Sequence, residues 1–127
     1  MILEVNRAGQ AGKTGKQFFW GRANVESSRL EILTQLVERN PKDSFALYGL
    51  AMEYAAREEY EKAIEHFRKV CEVNPNYSYA YYHAGRVLTK MGQIEEARRF
   101  YEKGIESTSR SGDLHAKGEL EAALAEL

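Results

Sequence analysis

Three histidines, one cysteine and a run of carboxylates are the side chains here that catalysis or metal binding would use, and their spacing argues against both. His66, His83 and His115 show no pair one helical turn apart, the arrangement a zinc site on a helix needs. Cys71 is the single cysteine, so it has no partner for a disulfide or for a shared metal. It sits beside Val70 on the inner side of a helical pattern, where a buried, inert thiol is expected rather than a nucleophile. Glu58, Glu59, Glu61 and Glu65 fall on exposed turns and faces beside Lys62 and Lys69, which solvation and ion pairing explain. No nucleophile stands with a base, so the chain reads as non-catalytic, without cofactor or metal.

The N-terminal stretch holds one further candidate. Gly9-Gln10-Ala11-Gly12-Lys13-Thr14 follows a possible short strand at Met1 to Val5 and is similar to the end of a phosphate-binding loop. Arg7 occupies the place of the first required glycine, and a helical chain offers no parallel sheet behind the loop. Nucleotide binding is therefore not expected. Phe18-Phe19-Trp20 is a second oddity, three consecutive rings that cannot serve one helix face. They either cap an exposed helical end or dock into a groove, in this chain or in a second copy, and the cap is the favoured reading.

The elements that would position any site are legible as a repeat. Leu47, Leu50, Ala51 and Tyr54 lie at i, i+3, i+4 and i+7, one helical stripe, and Ala63 with Phe67 begins another before Asn74-Pro75. Tyr81, Ala84, Gly85 and Leu88, then Ala97 and Tyr101, carry the same residue classes 34 positions later. Ala51 and Gly85 are small enough to let a neighbouring helix come close. Ile64, Val70 and Cys71 supply bulk in the first unit, and Ile94 and Ile105 in the second. Neither helix of a unit can bury its stripe alone, so hairpins must form and stack.

With two registered copies, the pattern resembles the tetratricopeptide repeat (TPR) family, whose unit is a helix-turn-helix of this length. The resemblance implies an all-α, right-handed helical-hairpin solenoid of two full repeats, with a partial N-terminal repeat and a C-terminal capping helix. Residues 1–26 form an N-terminal arm and 27–127 the repeat domain. The domain divides into a partial repeat at 27–41, repeats at 42–75 and 76–111, and a capping helix at 112–127. A serine N-cap at Ser27 or Ser28 opens a helix to Arg39 with Leu30, Leu33, Leu36 and Val37 inward, closed by Asn40-Pro41. Gly92 ends the first helix of the second repeat. Gly104 replaces Val70, and Ser109 stands where the closing proline is due, so no third ordinary repeat is expected. Gly112-Asp113 starts the last helix, with Leu114, Leu120, Ala123, Leu124 and Leu127 inward and Glu119, Glu121 and Glu126 outward. Phe67 is a core residue whose truncation to alanine costs about 3 to 5 kcal/mol.

Composition sets the remaining limits. The 127 residues suit one domain, with 43% hydrophobic and 29% charged residues, as in a soluble protein. A formal net charge of −1 without a basic block argues against nucleic acid. No apolar run is long enough for a membrane span or a signal peptide, and a cytoplasmic setting follows.

Function then rests on surface. The resemblance makes the first helix of each repeat the lining of a concave groove. Phe45, Tyr48 and Met52 of the first unit, and Tyr79, Tyr82, His83, Arg86 and Lys90 of the second, fall on that stripe. Tyr48, Met52, Tyr82, His83, Arg86 and Lys90 are the candidate partner-binding residues, an aromatic groove with a basic edge suited to a protein or peptide with apolar anchors and an acidic group. Phe45 and Tyr79 alternatively pack on the preceding helix. One branch of the family holds a peptide's terminal carboxylate with lysine and asparagine, and Tyr48, Met52, Tyr82 and Arg86 mostly displace that clamp here. The expected function is a non-catalytic interaction module. The alternative is a self-assembling homodimer built through the aromatic arm.

Overall fold

The computed structural model describes residues 28–127: a helix α1 over residues 28–39, then α2 (Ser44–Ala56), α3 (Tyr60–Val73), α4 (Ser78–Lys90), α5 (Ile94–Ser111) and α6 (Leu114–Ala125). The arm, its aromatic triplet and the glycine-bearing stretch at 9–14 lie outside the described residues, which contain no strand.

Within residues 33–127, α2 packs on α3 and α4 on α5; α3 joins the two hairpins through α4, and α6 lies on α5 and α4. The expected helical-hairpin stack is thus present. Its core alternates small and large side chains, with Ala51, Ala63, Ala84 and Ala97 fully or almost fully buried beside Leu47, Phe67, Leu88 and Tyr101. The small residues set the helix spacing. A Cβ added at Gly85 would sit 2.3 Å from Cε1 of Tyr101, and one at Gly49 would meet Cδ2 of Leu33 at 2.9 Å.

The turns repeat as chemistry. Asn40 Oδ1 accepts from the Lys42 amide at 3.2 Å, and Asn74 Oδ1 accepts from the Asn76 amide at 3.2 Å. Each asparagine side chain thereby folds the chain back over its own proline, the reason an Asn-Pro pair closes a unit. Asp43 caps α2 by accepting from the Ala46 amide at 3.1 Å, and Asp113 caps α6 in the same way at 3.2 Å from Ala116. Between the helices of each hairpin one residue is left-handed, Glu58 at φ 61° in the first and Gly92 at φ 79° in the second.

Several expectations are corrected at the C-terminal end. Gly112 does not start α6; it ends α5 in the left-handed conformation, φ 81°, and Asp113 starts the last helix. Leu114 is not part of the inward stripe but 74% exposed, because the Asp113 cap places it at the outer lip of the helix. Leu120 is buried in the core, and Ala123, Leu124 and Leu127 are partly buried against that core. Gly104 is where α6 is seated: a Cβ there would lie 2.8 Å from Tyr81 Cβ and 2.9 Å from Leu120 Cδ1.

The missing proline near position 109 lets α5 run to 18 residues against 14 in α3. The added residues 108–111 bring the buried Thr108 hydroxyl, next to the buried Ser107 that stands in the place of Val73. Ser107 donates to the Pro75 carbonyl at 2.7 Å, where the Tyr81 hydroxyl also donates at 2.9 Å, and Thr108 returns its hydroxyl to the Gly104 carbonyl at 2.9 Å. Phe100, which the repeat pattern does not mark, is 8% exposed, with the Arg68 guanidinium 5.4 Å from its ring centroid while bonded to Glu96.

Candidate partner-binding groove

The first helices α2 and α4 carry the six candidate residues, and α6 lies beside α4. Tyr48 on α2 is half-buried, its ring stacked on Tyr77 at 4.9 Å and edge-on to Phe67 at 6.1 Å. Burial, with Tyr77 and Tyr79 nearby, raises its phenol above the usual range. Tyr48 is therefore held by the core on one side. Met52, one turn on, is also half-buried against that core.

His83 on α4 links the two repeats. Its ring lies 6.1 Å from Tyr48, 6.5 Å from Phe67, 6.3 Å from Tyr79 and 5.2 Å from Tyr82. Burial among these rings, assisted by the Arg86 charge and opposed by Glu119, pushes the imidazole below its ordinary pKa. A neutral ring at neutral pH follows.

Beyond His83 the strip opens to solvent. The Arg86 guanidinium stands 5.7 Å from the Tyr82 ring centroid, and Arg86 and Lys90 are exposed, with no ion pair among the described residues. Tyr82, Arg86 and Lys90 line a cleft of about 470 Å³ with Thr89 of α4, Tyr101 of α5 and Ala123, Glu126 and Leu127 at the end of α6. Tyr101 forms its floor beside Thr89, whose hydroxyl donates to the Gly85 carbonyl at 2.8 Å. Burial raises the Tyr101 phenol, and the opposed charges of Arg86 and Glu126 both act on it.

Of the six candidates, the structure thus gathers Tyr82, Arg86 and Lys90 at one cleft and places Tyr48, Met52 and His83 outside its lining, on the core side. Phe45 is 73% exposed and Tyr79 37% exposed, so neither is enclosed against a preceding helix. The α6 contribution lies beyond what the repeat spacing marks. Burial and then the nearby Glu119 carboxylate raise the Tyr79 phenol, and Glu126 shares the cleft lining with the basic edge. Their period along α6 was visible, but which helix they face depends on how Leu120 seats against Gly104, a long-range fact.

Among the described residues, no group of three or more histidine, cysteine, aspartate or glutamate side chains is placed to hold a metal ion. Nor is any described helix long and apolar enough to cross a membrane. Cys71 is half-buried, and burial pushes its thiol up to about 12.

Comparison with known proteins finds the same pattern. Residues 44–77 and 66–99 each match a family model described as tetratricopeptide repeat. An uncharacterized protein of Methanocaldococcus jannaschii is 32% identical over 69 residues, 54% of this chain and 80% of that protein. The heat-shock protein cognate co-chaperone sgt12 of Aspergillus fumigatus is 32% identical over 95 residues, 75% of this chain. The chain spans 28% of the length of that co-chaperone. The TPR2B domain of yeast Sti1, solved as a complex with pHsp70, superposes with a TM-score of 0.74 at 17% identity, covering 87% of each chain. At that identity the likeness is one of fold.

Proposed function

Because the chain belongs to the tetratricopeptide repeat family, we propose that it is a non-catalytic interaction module that binds a protein or peptide partner along the strip Tyr48–His83–Tyr82–Arg86–Lys90. The observation that carries this reading is the outer end of the strip. Two cations and a half-exposed ring wall a cleft of about 470 Å³, within the roughly 300–1,000 Å³ of ordinary ligand sites. Arg86 spread over Tyr82 offers planar contact area and charge at little entropic cost, the combination that dominates binding hot spots. Tyr48 and His83 serve as the rigid backing, and Met52 adds adaptable apolar surface beside them. The fungal relative's name as a co-chaperone favours a role among protein partners. A cytoplasmic setting is part of the same proposal.

Site-directed photo-crosslinking tests it. A photoreactive residue at Lys90 is compared with one at Arg99, which is exposed on the side of α5 turned away from Tyr101. The expected outcome is a partner captured from position 90 and not from 99, and lost when Tyr82→Ser and Arg86→Glu are introduced into a chain that stays folded. The same proteins captured from both positions would refute the groove. Capture of only a second copy from position 90 would make self-assembly the function.

A further inference from the structure

The cleft beside α6 is not uniformly basic. Arg86 and Lys90 stand one turn apart on α4 and supply one wall. Glu126, at the end of α6, supplies a carboxylate to the same lining, with the rings of Tyr82 and Tyr101 and the apolar Ala123 and Leu127 between. Neither cation is joined to Glu126 in an ion pair, so both signs remain open to a visitor. Glu119 is different, standing 3.5 Å from His115 Nε2 on its own helix and outside the cleft lining.

Resting on the groove reading above, we propose that this cleft takes a peptide segment of mixed charge, with an acidic residue against Arg86 and Lys90, a basic residue against Glu126 and an apolar side chain between them on Tyr82 and Tyr101. Charge complementarity carries the choice of occupant. A uniformly acidic segment would bring a carboxylate against Glu126, and a uniformly basic one would meet Arg86 and Lys90. Each like-charge meeting rejects a wrong partner, so Glu126 narrows a surface that the two cations alone would leave open to any acidic chain.

The test is a nuclear magnetic resonance titration of the isotopically labelled full chain at low ionic strength, where exposed charges act most strongly. The probes are four capped hexapeptides around a Leu-Leu centre: Glu-Glu-Leu-Leu-Lys-Lys, its charge-reversed order, Glu-Glu-Leu-Leu-Gln-Gln and Gln-Gln-Leu-Leu-Lys-Lys. One mixed-charge order is expected to bind at least about threefold tighter than either single-sign peptide, the scale of one exposed ion pair. Its largest shifts should fall at Thr89, Tyr101 and Ala123. Glu126→Gln should erase that advantage while leaving the acidic peptide bound as well as before or better. Equal binding of mixed and acidic peptides, an unchanged ranking in Glu126→Gln, or no shift with any probe overturns the inference. If the acidic peptide binds best, with shifts at Tyr82 and Arg86, only the mixed-charge assignment fails. The crosslinking result decides the groove itself.

Discussion

A Cβ built on Gly85 would lie 2.3 Å from Cε1 of Tyr101 and 2.6 Å from its Cζ, so α4 and α5 meet at a point where no side chain fits. The Tyr101 ring cannot simply retreat. It is 3% exposed and enclosed in the core cluster. Gly85→Ala is therefore expected to destabilise the fold by about 1 to 3 kcal/mol through overpacking, even though alanine favours helix. A lower urea midpoint with an unchanged slope would bear this out; equal or greater stability would show that the hairpin opens at no cost.

Glu58 and Gly92 occupy the same place in successive hairpins, 34 residues apart, and both are left-handed, at φ 61° and φ 79°. For a residue with a Cβ that conformation costs about 1–2 kcal/mol. Glycine removes the cost but adds freedom to the unfolded chain. The balance predicts that Glu58→Gly stabilises by up to about 1 kcal/mol, read as a rise in melting temperature. Glu58→Ala keeps the Cβ and should bring no such gain.

Phe67 joins the core to the groove. It is fully buried, with Tyr48 at 6.1 Å and His83 at 6.5 Å from its ring centroid. Phe67→Ala should cost about 3 to 5 kcal/mol, since a helical stack relaxes only partly around a lost ring. Chemical denaturation measures the loss. A cost below about 1 kcal/mol would mean that the ring is not enclosed.

How much of this was legible depends on distance along the chain. The stripes at Leu47–Tyr54 and Tyr81–Leu88 need only local periodicity, and so do the Asn-Pro turns and the use of Gly85 for close approach. What a period cannot carry is the seating of one element on another. Gly104 looked like a weakened copy of Val70, yet it receives Leu120. Leu114 fits the apolar count of α6 and still points outward. Glu126 reads as a solvated carboxylate until α6 is laid beside α4, when it faces Arg86 and Lys90 across the cleft. The register of Tyr48 puts it on the groove stripe, but its stacking on Tyr77 follows from the turn before α4, which sequence spacing does not describe.

Cys71 offers a probe of local opening. Burial pushes its thiol up to about 12 from an ordinary 9.0, so the reactive thiolate is scarcer by a factor on the order of 10³ at pH 8. Alkylation of the native chain should be slower than that of the urea-unfolded chain by about that factor or more, through burial as well as acidity. Mass spectrometry of timed alkylation decides it. Rapid native labelling would show that the contact between α3 and α4 opens freely.

His83 gives the pH dependence its sign. It faces the rings of Tyr48, Phe67, Tyr79 and Tyr82, with Arg86 and Glu119 as the charged groups acting on it. Burial and then Arg86 depress its pKa below the ordinary 6.5, against the smaller opposing pull of Glu119. The folded state thus binds this proton less readily than the unfolded chain does. The stability it contributes is complete above the unfolded value and is lost as pH falls from about 6.5 through the depressed folded value. Melting temperatures taken between neutral and mildly acidic pH should decline more steeply in the wild type than in His83→Gln, which keeps a neutral polar side chain throughout. In the wild type, a titration of the His83 ring by nuclear magnetic resonance should show a midpoint below 6.5. A midpoint above that value would mean that Glu119 outweighs burial and Arg86, and the acid side would then be where His83 stabilises the fold.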